Sequence, residues 1–212
     1  MEFASRQDAG KRLGRHLQNE NVAADWVLGL PRGGVVVAAE VAEILRRPLD
    51  VLIVRKIGHP GCREFAVGAL AEAGVVILDK SALGENSLVS ADVNQVIEEE
   101  TDRLCEYETK FRRGVFRNLK EKTALIVDDG LATGATAEAA VMSARKQGAD
   151  RVILAVPVAA AVSAKRLERV ADEVIALVTD PDFDAVGCYY AFFPQTIDEE
   201  VLTLLGVGLS PR

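Results

Sequence analysis

Five stretches of the chain are nearly unbroken runs of Val, Ile, Leu and Ala: DWVLGL (25–30), LDVLIVRK (49–56), TALIV (123–127), RVILAV (151–156) and EVIALV (173–178). A strand with one face in water alternates apolar and polar residues, whereas a strand covered on both faces does not. These runs therefore predict a parallel sheet buried under helices on both sides. The intervening segments fit, because they carry helical spacing at 35–45, 92–113, 135–147 and 161–170. The expected class is α/β. Two shorter strands are expected at 65–70 and 74–79, a loop at 82–88, and a closing helix at 197–205.

Local signals sharpen the boundaries. Ser5 with Asp8 three residues on reads as the start of a helix over 5–20. Val93, Val96, Ile97, Leu104, Tyr107 and Phe111 make the apolar stripe of 92–113, which Gly114 is expected to stop. On this reading Glu98, Glu99 and Glu100 form a solvated face. In VILAVPVAAAVSA (152–164), Pro157 suggests a core strand running into a loop. The chain of 212 residues shows no repeat and no linker, so it reads as a single domain. Its core spans about 25–178, and its ends, 1–24 and 179–212, are expected to pack together as a small hood.

Charge and cysteine usage narrow the function classes. A net charge of −7 argues against a nucleic-acid or anionic-membrane footprint, which needs a basic face. Cys62, Cys105 and Cys188 are odd in number and form no CxxC, which suits a reducing interior better than a disulfide framework. The opening MEFASRQDAGKR has no apolar stretch, so no secretory signal and a cytoplasmic location are expected. His59 with Cys62 supplies only two metal ligands, His16 reads as a surface residue, and Glu64 fits equally a contact to a substrate or Mg²⁺ and a hinge contact within its loop.

In α/β sheets, ligands bind beyond the carboxyl ends of the strands. Three segments lie there: PRGG (31–34), RKIGHPG (55–61) and DDGLATGAT (128–136). In the last, Gly130, Ala132, Gly134 and Ala135 leave backbone N–H groups uncovered. Thr133 and Thr136 add hydroxyls, and the helix that follows adds its positive end, which together make a site for a phosphate monoester. Asp128 and Asp129 would repel that phosphate unless they faced hydroxyl donors, as a ribose offers, in which case neither needs a protein partner. The same residues also fit a solvated carboxylate pair at a strand end, or a mononucleotide phosphate loop of another sort. A Walker loop is excluded, because no GK[ST] follows.

The segment ALIVDDGLATGAT resembles the 5-phosphoribosyl-1-pyrophosphate (PRPP) binding signature of the type I phosphoribosyltransferases. Together with LGLPRGGVVVAAEVA, DVLIVRKIGHPG and FDAVGCYY, it is similar to a group of bacterial phosphoribosyltransferases of unassigned substrate. The resemblance covers residues 26–193. It implies the type I phosphoribosyltransferase fold, a parallel sheet flanked by helices with a hood. It also implies transfer of the 5-phosphoribosyl group to an acceptor, expected to be a nucleobase, with release of pyrophosphate.

The implied roles fall on specific positions. Asp128 and Asp129 would hold the ribose hydroxyls and, with PRPP oxygens, a Mg²⁺ cofactor. Ala132, Thr133, Gly134, Ala135 and Thr136 would cradle the 5′-phosphate. Arg32, Gly33 and Gly34 would meet the pyrophosphate, along with Arg55 and Lys56, which join the two Asp as the catalytic set. Residues 57–65 occupy the place of a flexible catalytic loop. Phe183, Val186 and Tyr189 would contact the base. PRPP and a small-molecule acceptor are the expected partners, and a homodimer the expected assembly.

Two departures qualify the resemblance. Ala132 stands where 6-oxopurine enzymes carry an Asp, so an Asp-assisted purine mechanism is not supported. Ala191-Phe192-Phe193 stand where those enzymes carry an acidic residue. The competing expectations are a PRPP- or nucleotide-binding regulator without turnover, and another reaction on a phosphoribosyl donor.

Overall fold

The computed structural model describes residues 2–83, 91–112 and 117–206. Five parallel strands form the main sheet, in the order β2 (Leu49–Val51), β1 (Trp26–Gly29), β6 (Thr123–Val127), β7 (Arg151–Ala160) and β8 (Glu173–Asp180). Helices lie on both faces, and β6 shows why its sequence does not alternate. Leu125 and Val127 pack with Leu13, Leu17, Val37 and Val41, from α1 (Arg6–Asn19) and α2 (Gly33–Leu45). Ala124 and Ile126 face the other way, against Ala137, Ala140 and Val141 of α5 (Ala135–Lys146). Leu125 and Ile126 are fully buried, each worth roughly 1.5–3 kcal/mol relative to exposure. The small side chains of α5 also let it approach a second sheet, where Ala139 meets Ala69, Ala71 and Val75.

That second sheet corrects two expectations. The run 49–56 is not one strand. β2 ends at Val51, and β3 (Val54–His59) begins an antiparallel sheet with β4 (Cys62–Ala71) and β5 (Val75–Leu78). Continuous apolar composition could not show the break, because both pieces are buried at their junction: Leu52 and Ile53 are nearly inaccessible. Residues 57–65 are accordingly a β-hairpin turning at Pro60–Gly61 and not an irregular loop. His59 pairs with Cys62 across that turn, and its Nδ1 accepts the Gly61 N–H at 3.1 Å.

Other boundaries moved less. Ser5 caps α1, its Oγ accepting from Asp8 N at 3.3 Å. β7 runs on through Pro157 to Ala160, and the ladder with β8 passes from Val156–Ala176 to Val158–Val178, omitting the proline that has no N–H to give. The helix after it, α6 (Ala161–Leu167), is shorter than expected. α2 starts at Gly33, two residues early. α4 (Ala91–Phe111) ends before Gly114, a position outside the described residues. Of the expected loop at 82–88, residues 82–83 belong to a short helix, α3 (Lys80–Leu83), and the rest lies outside the described residues.

Phe3 and Ala9 pack against residues 183–193, in a cluster with Tyr190, Phe183, Val186, Tyr189 and Phe193, and Phe3 bridges Tyr190 as a short parallel pair. The remainder of α1 lies over the sheet on α2. α7 (Asp198–Leu204) closes the described chain, its Val201 buried with Val35 and α4. No helix among the described residues is long and apolar enough to cross a membrane.

Candidate functional site

β6 delivers Asp128 and Asp129 to the carboxyl edge of the sheet, beside the start of α2. The crowding there explains the pair of glycines at that start. A Cβ on Gly33 would lie 2.1 Å from Asp129 Oδ2, and one on Gly34 would lie 2.7 Å from Asp128 Oδ1. Any side chain at either position would displace the carboxylates. The peptide bond between Pro31 and Arg32, just before these glycines, is cis.

The carboxylates are not equivalent. Asp128 Oδ1 accepts the Asp129 N–H at 2.8 Å. Burial, reinforced by the neighbouring Asp129 charge, holds its carboxyl well above the usual range. Asp129 is raised by burial too, but a cation opposes the shift: Arg6 Nε donates to its Oδ2 at 2.7 Å. The expectation that neither carboxylate needs a protein partner is therefore wrong for Asp129. The sequence concealed this because Arg6 lies 123 residues away in α1.

Beyond the carboxylates, Leu131 is stitched to β7. Its N–H donates to Val158 O and its carbonyl accepts from Ala160 N, both at 2.8 Å. The next two carbonyls are also engaged. Ser163 Oγ donates to Ala132 O, and Arg166 Nη2 donates to Thr133 O at 2.6 Å. Gly134 takes φ +77°, in the left-handed region that glycine tolerates, and turns the chain into α5. No side chain caps α5, so its first-turn N–H groups remain available to an anion. Asp128 through Gly134 and Thr136 line a pocket of about 230 Å³, with Val186 as its hood-side wall. Val186 fits because position 130 is glycine: a Cβ there would come within 2.5 Å of Val186 Cγ1.

Beside this pocket lies a cleft of about 990 Å³, which shares Pro31, Val54, Lys56 and Thr136 with it. Arg32, Arg55 and Lys56 all line the cleft. Arg32 lies 3.6 Å from Asp198, which also pairs with Lys110 at 2.6 Å. Arg55 donates from Nε to Glu100 Oε2 at 2.9 Å and sits 5.4 Å from the Tyr107 ring centre. Lys56 is exposed and makes no ion pair within the described residues.

Glu100 overturns another expectation. Glu98 is exposed and Glu99 pairs with Arg63 of the hairpin at 3.0 Å, but Glu100 is buried, holding Arg55 with one oxygen and Arg103 with the other. Three consecutive residues fan over about 200° of a helix, and here the third turns toward Arg55. Glu64 stands on the exposed hairpin at the cleft margin.

Phe183 and Tyr189 form a stacked pair, centroids 5.4 Å apart, and Tyr189 Oη donates to Asp180. Of the three candidate base contacts only Val186 lines the pocket wall; the aromatic pair lies outside it. Tyr190, not singled out in sequence, donates its hydroxyl to the Asp129 carbonyl. Burial and the nearby Asp129 charge raise its pKa. Arg6, Glu100 and Asp198 were also missed, and each belongs to a helix remote from the strand-end motifs. The Cys residues are exposed, and no group of three or more metal-ligating side chains occurs among the described residues.

Comparisons with known proteins agree on the family. The phosphoribosyl transferase domain family matches residues 4–192. Two curated Mycobacterium tuberculosis proteins, each named "Putative phosphoribosyl transferase", are 46% identical over 204 residues, covering 96% of this chain and 46% of theirs. The chain thus spans about half the length of these curated relatives. The crystal structure of TT1426 from Thermus thermophilus matches with a TM-score of 0.80 at 42% identity, covering 97% of this chain and 98% of that one. A purine phosphoribosyltransferase from Pyrococcus horikoshii shares the fold at a TM-score of 0.50 and 19% identity, covering 93% and 98% of the two chains. The chain belongs to the phosphoribosyltransferase family and has its fold, a five-stranded parallel sheet between helices.

Proposed function

We propose that the protein transfers the 5-phosphoribosyl group of PRPP to a nucleobase acceptor and releases pyrophosphate. The observation that carries this reading is a pair of adjoining cavities with different walls. Half-buried carboxylates and the uncapped start of α5 line one, Arg32 and Arg55 line the other, and Lys56 lines both. On this reading Asp128 and Asp129 accept hydrogen bonds from the ribose hydroxyls. The amides of residues 132–136, with the Thr133 and Thr136 hydroxyls, hold the 5′-phosphate.

The bond from ribose C1 to pyrophosphate breaks as the bond from C1 to an acceptor nitrogen forms. Negative charge accumulates on the departing pyrophosphate, where Lys56, Arg55 and Arg32 stabilise it. Holding donor and acceptor in line contributes the rest. No covalent nucleophile is needed.

A divalent cation suits the donor set. Among the described residues the two adjacent carboxylates share one paired guanidinium; burial raises the pKa of both, and the Asp129 charge raises that of Asp128 further. Asp128 and Asp129 would hold Mg²⁺ together with PRPP oxygens. When bound, the ion would offset charge on the leaving pyrophosphate. The missing acid at Ala132 leaves acceptor choice to the hood, where Val186 meets the pocket. The experiment is a melting-temperature measurement with PRPP and MgCl₂, followed by pyrophosphate release across a panel of purine and pyrimidine bases. A shift without release would favour the regulator, and no shift would remove the PRPP site altogether.

A further inference from the structure

Arg6 is the point where the hood touches the carboxylate pair. Its side chain is 10% exposed and has three partners at once. Nε meets Asp129 Oδ2 at 2.7 Å, Nη1 donates to Pro194 O at 2.6 Å, and the guanidinium carbon lies 3.6 Å from the Phe193 ring centre. α2 closes the arrangement from the side, because a Cβ on Gly33 would come within 2.7 Å of Arg6 Nε. A second hood group, the Tyr190 hydroxyl, holds the Asp129 backbone carbonyl.

This geometry does more than neutralise a charge. A carboxylate free to rotate could turn either oxygen toward a ligand, whereas one fixed by Arg6 and packed against Gly33 presents a single orientation. Only a guanidinium can serve a carboxylate, a carbonyl and a ring face together, because its donors fan out in one plane while its faces stack. Two of those three partners are hood groups, so the orientation of Asp129 depends on the hood being in place.

We propose that Arg6 is a positioning residue that sets Asp129 for the ribose hydroxyls and thereby couples donor binding to the hood. The inference rests on the phosphoribosyl-transfer reading and extends it. Coupling between two sites is reciprocal, so a ligand held by the hood tightens PRPP, and PRPP steadies the hood.

The test combines calorimetric titration of PRPP with MgCl₂ and hydrogen exchange. Wild type is compared with Arg6→Gln, Arg6→Lys and Phe193→Leu, each checked for folding by circular dichroism. Arg6→Gln is expected to weaken PRPP about thirtyfold, Arg6→Lys to recover about half of that loss on a logarithmic scale, and Phe193→Leu to weaken it about threefold. In wild type, PRPP should slow amide exchange in residues 2–9 and 186–194 as well as in 128–136, and Arg6→Lys should diminish the hood protection. Equal affinity in Arg6→Gln and wild type overturns the inference. So does unchanged affinity in Phe193→Leu, or protection confined to 128–136. Should Arg6→Gln not fold, Arg6→Lys and Phe193→Leu decide the matter. Failure of wild type to bind PRPP is a separate result, which removes the transferase reading and this inference with it.

Discussion

Two pairs of carboxylates, one on the edge strand β2 and the turn after β4 and one at the end of the central strand β6, differ in what surrounds them. Asp50 and Glu72 are enclosed by Arg117 and Arg112. Arg117 reaches Asp50 at 3.1 Å and Glu72 at 2.8 Å, while Arg112 pairs with Glu72 and, at the rim, with Glu108 at 3.7 Å. Backbone donors complete the set: Val51 N reaches Asp50 at 2.8 Å and Ile53 N reaches Glu72 at 2.6 Å. Asp128 and Asp129 have one guanidinium between them and an open pocket in front. A buried charge persists only when something compensates it. In the first pair the protein supplies two guanidiniums and two backbone donors, so the cluster fastens β2 to Arg112 and Arg117, although burial still holds the Asp50 carboxyl above its usual value. In the second it supplies one guanidinium, and the carboxylates face an open pocket.

The sharpest way to break this contrast is Arg117→Met. It strands Asp50 and Glu72 without their central cation and should cost about 3–5 kcal/mol in chemical denaturation. The folded fraction should bind PRPP as wild type does. A loss under 1 kcal/mol would mean that the cluster is not held together as described. Asp128→Asn should act in the opposite sense. It removes a charge that burial and Asp129 disfavour, so the ligand-free protein should gain about 1 kcal/mol in urea unfolding while its PRPP-dependent melting shift disappears. A destabilised Asp128→Asn protein would show that the pair is already compensated, erasing the difference between the two regions.

Glu100→Gln probes an intermediate case, a single buried carboxylate shared by two cleft-facing arginines. It should cost about 1–2 kcal/mol in the same unfolding experiment, since the amide keeps one acceptor oxygen and so leaves either Arg55 or Arg103 without its acceptor.

The smallest effect belongs to Asp172, a surface carboxylate that accepts from Val152 N at 2.7 Å and Arg145 at 2.9 Å. The Val152 N–H, with Arg145, holds its pKa below the usual carboxylate value. A depressed pKa contributes stability above the unfolded-state value near 4 and loses it as pH falls through the lower folded value. Solvent screening limits the contribution at this exposure, so Asp172→Asn should cost about 0.5 kcal/mol at pH 7. The difference between the two proteins should vanish under more acidic conditions. A cost that persists there would assign the effect to packing.

The strand-end motifs were legible because each is contiguous. Asp128 through Gly134 follow β6 in one segment that lines a single pocket, and Arg55–Lys56 lie side by side on one strand. Glu100 was misread for the opposite reason: its role depends on Arg55, 45 residues away, and on which glutamate of three the helix turns inward. The hairpin at 57–65 was misread because glycine and proline mark a turn whether or not the flanks pair. The split of 49–56 was invisible because both strands are buried.

By itself the sequence determined the layered α/β class, through runs whose both faces had to be covered, and a carboxylate pair followed by a small-residue turn at a strand end, through residues adjacent in the chain. Tertiary structure alone decided which carboxylates are compensated. Asp50 and Glu72 receive two arginines from beyond α4, and Asp129 receives Arg6 from the first helix. The physical reason is that a buried charge is governed by what lies within a few ångströms. Chain order fixes that only for neighbours, and folding brings together residues more than a hundred positions apart.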